Sequence, residues 1–292
     1  PQSEALLWYT AAIINHGKQT VFAGIEFHPR IMATLEKLAI DTPTEVQQAV
    51  LPLAEHDLQV CAETGSGKTL AYLLPLLQQL LTTNAPNTAT RALILVPTRE
   101  LARQVYKDCK AFTDMNTLDV GVLTGGEEFK YQAAMLRKNP EILVATTGRL
   151  VDHIKRETVD LTDLEFLVLD EADRMLDMGF ADDMDIILQR AKAERRTYLL
   201  SATLHHQGVQ RIAGSWLVDA KEITTQSVSD AHAFIRQQRI LADDNAHKDR
   251  LLVWLLANES YDKAIVFVNR RDEVDRLADF LRQHRDGIAA LH

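Results

Sequence analysis

The stretch "VCAETGSGKTLAYLLP", residues 60–75, decides the fold. Val60, Cys61 and Ala62 are the end of an apolar run short enough for a strand, and from Leu70 the apolar residues recur at helical spacing. Between them lie Thr64, Gly65, Ser66, Gly67, Lys68 and Thr69. Glycines at 65 and 67 let the chain turn so that several N–H groups face one point, and the helix start adds its partial positive end. Lys68 brings a mobile charge and Thr69 a hydroxyl suited to Mg²⁺. This composition in a strand–turn–helix context predicts a cradle for phosphate groups rather than an ordinary glycine turn. Ala62 stands where the general pattern has glycine.

A second stretch asks for the same explanation. "FLVLDEADRMLDMGF", residues 166–180, runs a buried-looking strand into Asp170, Glu171 and Asp173. Like charges so close repel unless a cation or ligand belongs among them. Asp170, at the strand end, is suited to hold Mg²⁺, partly through water, as Thr69 would from the other side. Glu171 can position or deprotonate an attacking water. Asp177 reads instead as an acidic N-cap on a solvated helix, favourable with the helix dipole.

The rhythm around these stretches sets the architecture. "LQVCAE", "RALILVP", "DVGVLTG", "EILVATT", "EFLVLDE", "RTYLLSAT" and "KAIVFVN" read as strands, and longer helical patterns separate them. Nearly continuous apolar strands alternating with helices predict an α/β fold, a mostly parallel sheet covered by helices on both faces. Ligands in such sheets bind beyond the carboxyl ends of the strands. The chain has 292 residues, 46% of them hydrophobic, enough for one large domain or two smaller ones. A net charge of -9 argues against a purely electrostatic nucleic-acid binder but leaves room for a local basic groove. Two cysteines, Cys61 and Cys109, make neither a disulfide scaffold nor a zinc site, which fits a cytoplasmic location. "ALLWYTAAII", residues 5–14, is too short to span a bilayer and lacks a signal-peptide pattern, so no membrane association is expected.

The same rhythm divides the chain into an N-terminal extension (1–21), a first domain (22–228), a linker (229–240) and the opening of a second βα domain (241–292). The polar stretch 222–238 reads as part strand and part linker. A start at Pro1 and an end at His292, where a strand could begin, suggest truncation at both ends. The adjacent His205 and His206 do not share a helix face and read as exposed rather than metal-binding.

Taken in order, "AETGSGKT" (62–69), "PTREL" (97–101), "GG" (125–126), "TTGRL" (146–150), "DEAD" (170–173), "SAT" (201–203) and "VFVNR" (266–270) make the chain resemble the DEAD-box ATP-dependent RNA helicases. The resemblance covers the chain from about Phe22 onward, and "LVLDEADRMLDMGF" looks most like bacterial members, some of which assist ribosome assembly. It implies two RecA-like domains binding ATP, Mg²⁺ and RNA across their cleft, with the second domain only begun here. On the family pattern Gln47, in "AIDTPTEVQ", would read the adenine edge, supported by the upstream aromatic Phe22. Ala39 and Ile40 replace the family's Gly-Phe, so Ile40 would offer the base an apolar contact without stacking.

The family pattern further implies an RNA set of Pro97, Thr98, Arg99, Gly125, Gly126, Thr146, Thr147, Gly148 and Arg149. Hydroxyls, guanidinium groups and glycines that allow close approach of amides suit a sugar-phosphate backbone, and no aromatic among them would read bases. Thr147 stands where most members have proline. Asp173 would belong to the nucleotide contacts, and Ser201 and Thr203 would couple its region to the RNA face. Flanking regions or ribonucleoprotein partners would select the target. The arginines that complete the phosphate site lie in the family's second domain, so the chain alone is expected to turn over slowly. Two other readings remain open: a non-catalytic ATP-gated RNA clamp or assembly platform, and a DNA helicase of the same superfamily.

Overall fold

A computed structural model describes residues 21–83, 89–113, 118–203, 207–225 and 238–291. Most of the N-terminal extension, His205, His206 and much of the expected linker lie outside these. The chain divides into two compact units, Pro1–Ala233 and Phe234–His292.

In the first unit a short antiparallel pair, β1 (Val21–Phe22) and β2 (Ile25–Glu26), precedes helices α1 (Pro29–Lys37) and α2 (Glu45–Val50). Then strands and helices alternate: β3 (Leu58–Cys61), α3 (Lys68–Thr82), β4 (Ala92–Val96), α4 (Arg99–Thr113), β5 (Val120–Leu123), α5 (Phe129–Leu136), β6 (Ile142–Thr146) and α6 (Thr147–Lys155). The series ends with β7 (Phe166–Leu169), α7 (Ala172–Asp177), α8 (Ala181–Arg190), β8 (Arg196–Ser201), α9 (Gln207–Trp216) and β9 (Lys221–Thr224). The strands β3 to β9 form a seven-stranded sheet in the order β5-β6-β4-β7-β8-β3-β9, every pairing parallel.

Strand periodicity explains why both faces are covered. In β4, Ala92, Ile94 and Val96 enter one apolar cluster, and Leu93 and Leu95 enter the other. Phe166 and Val168 against Leu167 and Leu169 repeat the division in β7. A strand buried on both sides has no solvent face to make polar, hence the unbroken aliphatic runs. Each fully buried side chain contributes roughly 1.5–3 kcal/mol.

Polar groups tie the opposite edge, at the amino ends of the strands. Arg91 Nε donates to Glu165 Oε1 at 2.5 Å, its Nη2 to Oε2 at 3.2 Å, and its Nη1 caps the Leu80 carbonyl of α3 at 3.3 Å. The Asp57 carboxylate accepts the Thr197 and Val218 amides, each at 2.7 Å, fixing the starts of β8 and of the approach to β9.

The second unit differs from expectation. Its described residues form two helices, α10 (Asn245–Asn258) and α11 (Arg271–Arg282), and 263–269 forms no strand. A strand needs a neighbour for its N–H and C=O groups, and the described residues of this unit contain none. Ile265 and Phe267 are consequently 79% and 89% exposed, despite a sequence that calls for burial. Among the described residues, no helix is long and apolar enough to cross a membrane.

Candidate functional site

The strand order sorts the predicted residues into two groups along one sheet edge. β7, β8 and β3 are neighbours, so the segments after them lie side by side: Asp170–Asp173, Ser201–Thr203, and Thr64–Thr69. β5, β6 and β4 are likewise neighbours and are followed by Gly125–Gly126, Thr147–Arg149 and Pro97–Arg99. The first half carries acids, a lysine and a glycine turn. The second carries arginines, threonines and glycines.

In the first half, Gly65 and Gly67 have φ of +86° and +95°, the left-handed region that glycine occupies without strain. Gly67 precedes Lys68 at the start of α3. Lys68 is buried and its Nζ donates to the Ala62 carbonyl at 2.8 Å, so the charge is parked over the cradle. Gln47 is nearly buried; its Nε2 donates to the Gly67 carbonyl at 3.1 Å and its Oε1 accepts from the Thr44 amide at 3.0 Å. A Cβ at Gly67 would stand 2.8 Å from Gln47 Nε2, so the close fit as well as φ demands glycine there. The Gln47 amide thus joins α2 to the phosphate cradle, with one donor and one acceptor position left for a ligand. Phe22 is buried in the core that also contains Ile31, Leu35 and Val46, and Ile40 packs against that core.

Asp170 is buried, and its Oδ2 accepts from the Tyr72 hydroxyl at 3.2 Å. Burial raises its pKa to about 6; Lys68 and the Tyr72 bond oppose the rise, and Glu171 adds to it. The Thr69 hydroxyl also lies close enough to Tyr72 to favour its ionised form, so one phenol neighbours both candidate metal ligands. Tyr72 was not anticipated from sequence, although a tyrosine one turn beyond Thr69 in an apolar helix must find a partner for its hydroxyl. Asp170 Oδ1 is buried without a hydrogen-bond partner. A buried, unpartnered carboxylate oxygen near a threonine hydroxyl and a phosphate cradle fits a hard cation such as Mg²⁺.

Glu171 follows in left-handed backbone (φ +55°, ψ +50°) and caps α7. Its carboxylate is within 3.3 Å of Arg174 Nη1. A non-glycine residue there costs roughly 1–2 kcal/mol, strain of the kind that collects at functional positions.

Asp173, grouped from sequence with the nucleotide contacts, has its Oδ2 occupied by protein: it accepts from the Ala202 and Thr203 amides, each at 3.1 Å, and from Thr203 Oγ1 at 2.9 Å. Ser201 Oγ donates to the Thr203 carbonyl at 2.8 Å. The acidic segment and the serine–threonine segment are one hydrogen-bonded block.

In the second half, Thr98 Oγ1 accepts the Leu101 amide at 3.3 Å at the start of α4, and Pro97 is buried. Arg99 is exposed and lies over the glycine pair: a Cβ would meet its Nη2 at 2.9 Å from Gly125 and its Nη1 at 2.5 Å from Gly126. These glycines make room for a guanidinium, a reason different from the expected approach of amides to a ligand. Thr146 is nearly buried and its hydroxyl reaches the Leu123 carbonyl at 3.4 Å. Thr147 is fully buried with its hydroxyl 3.2 Å from Met175 Sδ. Only its backbone, in the first turn of α6, remains for a ligand. A Cβ at Gly148 would meet nothing closer than Phe180 at 3.7 Å, so packing does not require glycine there. The Arg149 side chain is 14% exposed.

A parallel α/β sheet with a Gly-Lys-Thr cradle, a buried aspartate and a strained glutamate at one edge defines a nucleotide-binding domain of the RecA-like class. The DEAD/DEAH box helicase family matches residues 44–212, and the chain belongs to that family. "ATP-dependent RNA helicase SrmB" of Escherichia coli K12 is 40% identical over 267 residues, 90% of this chain and 60% of that protein. "ATP-dependent RNA helicase DeaD" of Mycobacterium tuberculosis is 35% identical over 274 residues, 92% of this chain and 47% of that protein. The chain therefore spans about half to three fifths of these relatives. The crystal structure of a DEAD box protein from Methanococcus jannaschii superposes with a TM-score of 0.65 at 30% identity, covering 90% of this chain and 70% of that one. That of the yeast DEAD-box splicing factor Prp28 gives 0.65 at 27%, covering 89% and 63%.

Proposed function

We propose that this chain binds ATP with Mg²⁺ at the β7–β8–β3 half of the edge and an RNA backbone at the β5–β6–β4 half. Within the complete protein it would serve an ATP-dependent RNA helicase that opens short duplexes or remodels RNA–protein contacts. The observation that carries this reading is the sorting of the two chemistries onto two sets of neighbouring strands.

Each group then has a part. Lys68 would leave the Ala62 carbonyl for the phosphates, while the amides of 64–69 cradle them. Asp170 and Thr69 would hold Mg²⁺, which when bound neutralises charge on the phosphates. Glu171 would orient and deprotonate the attacking water, and Gln47 would meet the adenine edge with its remaining donor and acceptor. Arg99, Arg149 and the amides at the start of α6 would contact phosphates, which gives affinity without reading sequence. The Asp173–Thr203 block is the candidate route between the halves. A cytoplasmic location and action on ribosomal precursor particles rest on the bacterial relatives' likeness and belong to the same proposal.

The test is RNA-stimulated phosphate release with E171Q and K68A beside wild type, and calorimetry of ADP against GDP. A loss of 10²-fold or more for E171Q is expected, with preference for ADP. Equal binding of ADP and GDP removes the adenine role of Gln47, and undiminished turnover by E171Q removes the base. Equal stimulation by single-stranded DNA would favour the DNA reading.

A further inference from the structure

Gln132 lies in α5, outside the candidate ligand-contact segments, and is 3% exposed. Both of its amide hydrogens are used. Nε2 donates to the Thr124 carbonyl at 2.9 Å and to Glu127 Oε2 at 3.1 Å. Oε1 accepts from Arg149 Nε at 2.7 Å and faces His153 Nε2 at 3.3 Å. A carboxamide has two donor hydrogens, both engaged here, so no donor is left over for a ligand.

These partners bracket the glycine pair. Thr124 and Glu127 flank Gly125–Gly126, on which the Arg99 guanidinium lies. Arg149 itself donates from Nη2 to the Glu127 carbonyl at 2.7 Å. With Nε and Nη2 so engaged, Nη1 is the guanidinium's freest nitrogen, its nearest acid Asp152 at 3.8 Å. Behind the amide, His153 is buried, stacked on Phe129 at 4.1 Å, with Nδ1 2.8 Å from Thr158 Oγ1. Its burial, helped by Arg149 and Arg156 and opposed by Asp152, lowers its pKa to about 4, so the ring adds no charge at neutral pH. Arg156 covers the Phe129 ring at 4.3 Å and Arg149 approaches it at 5.3 Å.

We propose that Gln132 is a positioning residue for RNA: from behind the interface its carboxamide fixes the Arg149 guanidinium and the 124–127 loop under Arg99 in one phosphate-binding geometry. This rests on the RNA reading above. It names the device that lets a chain with net charge -9 grip a polyanion: a few arginines, each held in place, rather than a diffuse basic surface.

The experiment measures anisotropy of a labelled 20-nucleotide oligouridylate over a range of salt for wild type, Q132M, R149A and Q132M/R149A. ADP affinity and thermal midpoint are recorded for each. Q132M and R149A should each weaken RNA binding about 5–10-fold and shallow the salt slope by about 0.7, one single-strand phosphate. The double variant should be no weaker than R149A alone within about 2-fold, and ADP affinity should stay at the wild-type value. Q132E preserves the side-chain shape but removes both donors, and it carries the test if Q132M does not fold. Wild-type RNA affinity in a folded Gln132 variant overturns the proposal, as do additive losses in the double variant. A parallel fall in ADP affinity overturns it too, by making Gln132 a general support. If R149A binds RNA like wild type, the RNA reading itself fails, which is a separate result.

Discussion

Asp170 is where stability and function pull apart. Its carboxyl is held at about 6, against an ordinary 3.8, mainly because burial disfavours the charge. A raised carboxyl favours folding when protonated, so its contribution is full below about pH 4 and lost as pH rises through 6. Above that, the folded protein carries a buried charge costing up to ~3 kcal/mol. D170N should therefore melt higher than wild type at pH 8, with the difference shrinking as pH falls from 6 to 4, in thermal scans across that range. Added Mg²⁺–ADP should raise the wild-type midpoint and leave D170N where it was. A D170N midpoint below wild type at pH 8 would refute the account of burial cost. Glu171 is a similar case in the backbone: a left-handed turn no sequence pattern announces, kept at a position whose carboxylate is the candidate base.

Among the elements, α1 ends in a way that explains a departure visible in the sequence. Ala39 has φ +53°, and the Ile40 and Ala39 amides return to the Leu35 and Glu36 carbonyls at 2.9 and 3.1 Å, closing the helix in a Schellman turn. Glycine is favoured at that position, and the family pattern has it there. A39G should stabilise the domain by ~1 kcal/mol, a rise of ~2–4 °C in Tm, read by calorimetry. No change would mean that the turn relaxes around alanine without strain.

The elements also mark what sequence can carry. Buried parallel strands advertise themselves as aliphatic runs, so the order of β3 to β8 and the residues after each strand were legible. Long-range amide partners were not. Gln47 on Gly67, Tyr72 on Asp170 and Gln132 on Arg149 join residues many positions apart, and a glutamine or tyrosine in a helix looks the same whether solvated or buried. The inward turn of the Thr147 hydroxyl to a methionine sulfur was equally silent in the sequence. The run 263–269 misled because strand propensity takes effect only beside another strand.

For the whole molecule, the two units should differ sharply in cooperativity. The first has an apolar cluster on each sheet face. In the second, buried apolar residues among those described are Leu277, Ala278 and Leu281, and α10 buries none. So little burial does not offset the entropy of ordering the segment. Calorimetry should give one transition with an enthalpy near ~140 kcal/mol, appropriate to roughly 200 residues, instead of the ~200 kcal/mol of a fully cooperative chain. Hydrogen exchange at 245–258 should be far faster than in β4 or β7. Slow exchange there would overturn this division.

The sheet order has one more consequence. The halves of the edge proposed for nucleotide and for RNA meet along a single strand pairing, β4 with β7, continued by the Asp170 amide on the Leu95 carbonyl at 2.9 Å. That amide belongs to the candidate metal ligand, and that carbonyl lies two residues before Pro97. The sheet is therefore a two-panel board with one seam, and its panels can be rewired separately. On the proposed function, a change of base preference would be made in the panel of β3, and a change of grip on the polymer in the panel of β5. Only substitutions at the seam would force both ligands to renegotiate at once.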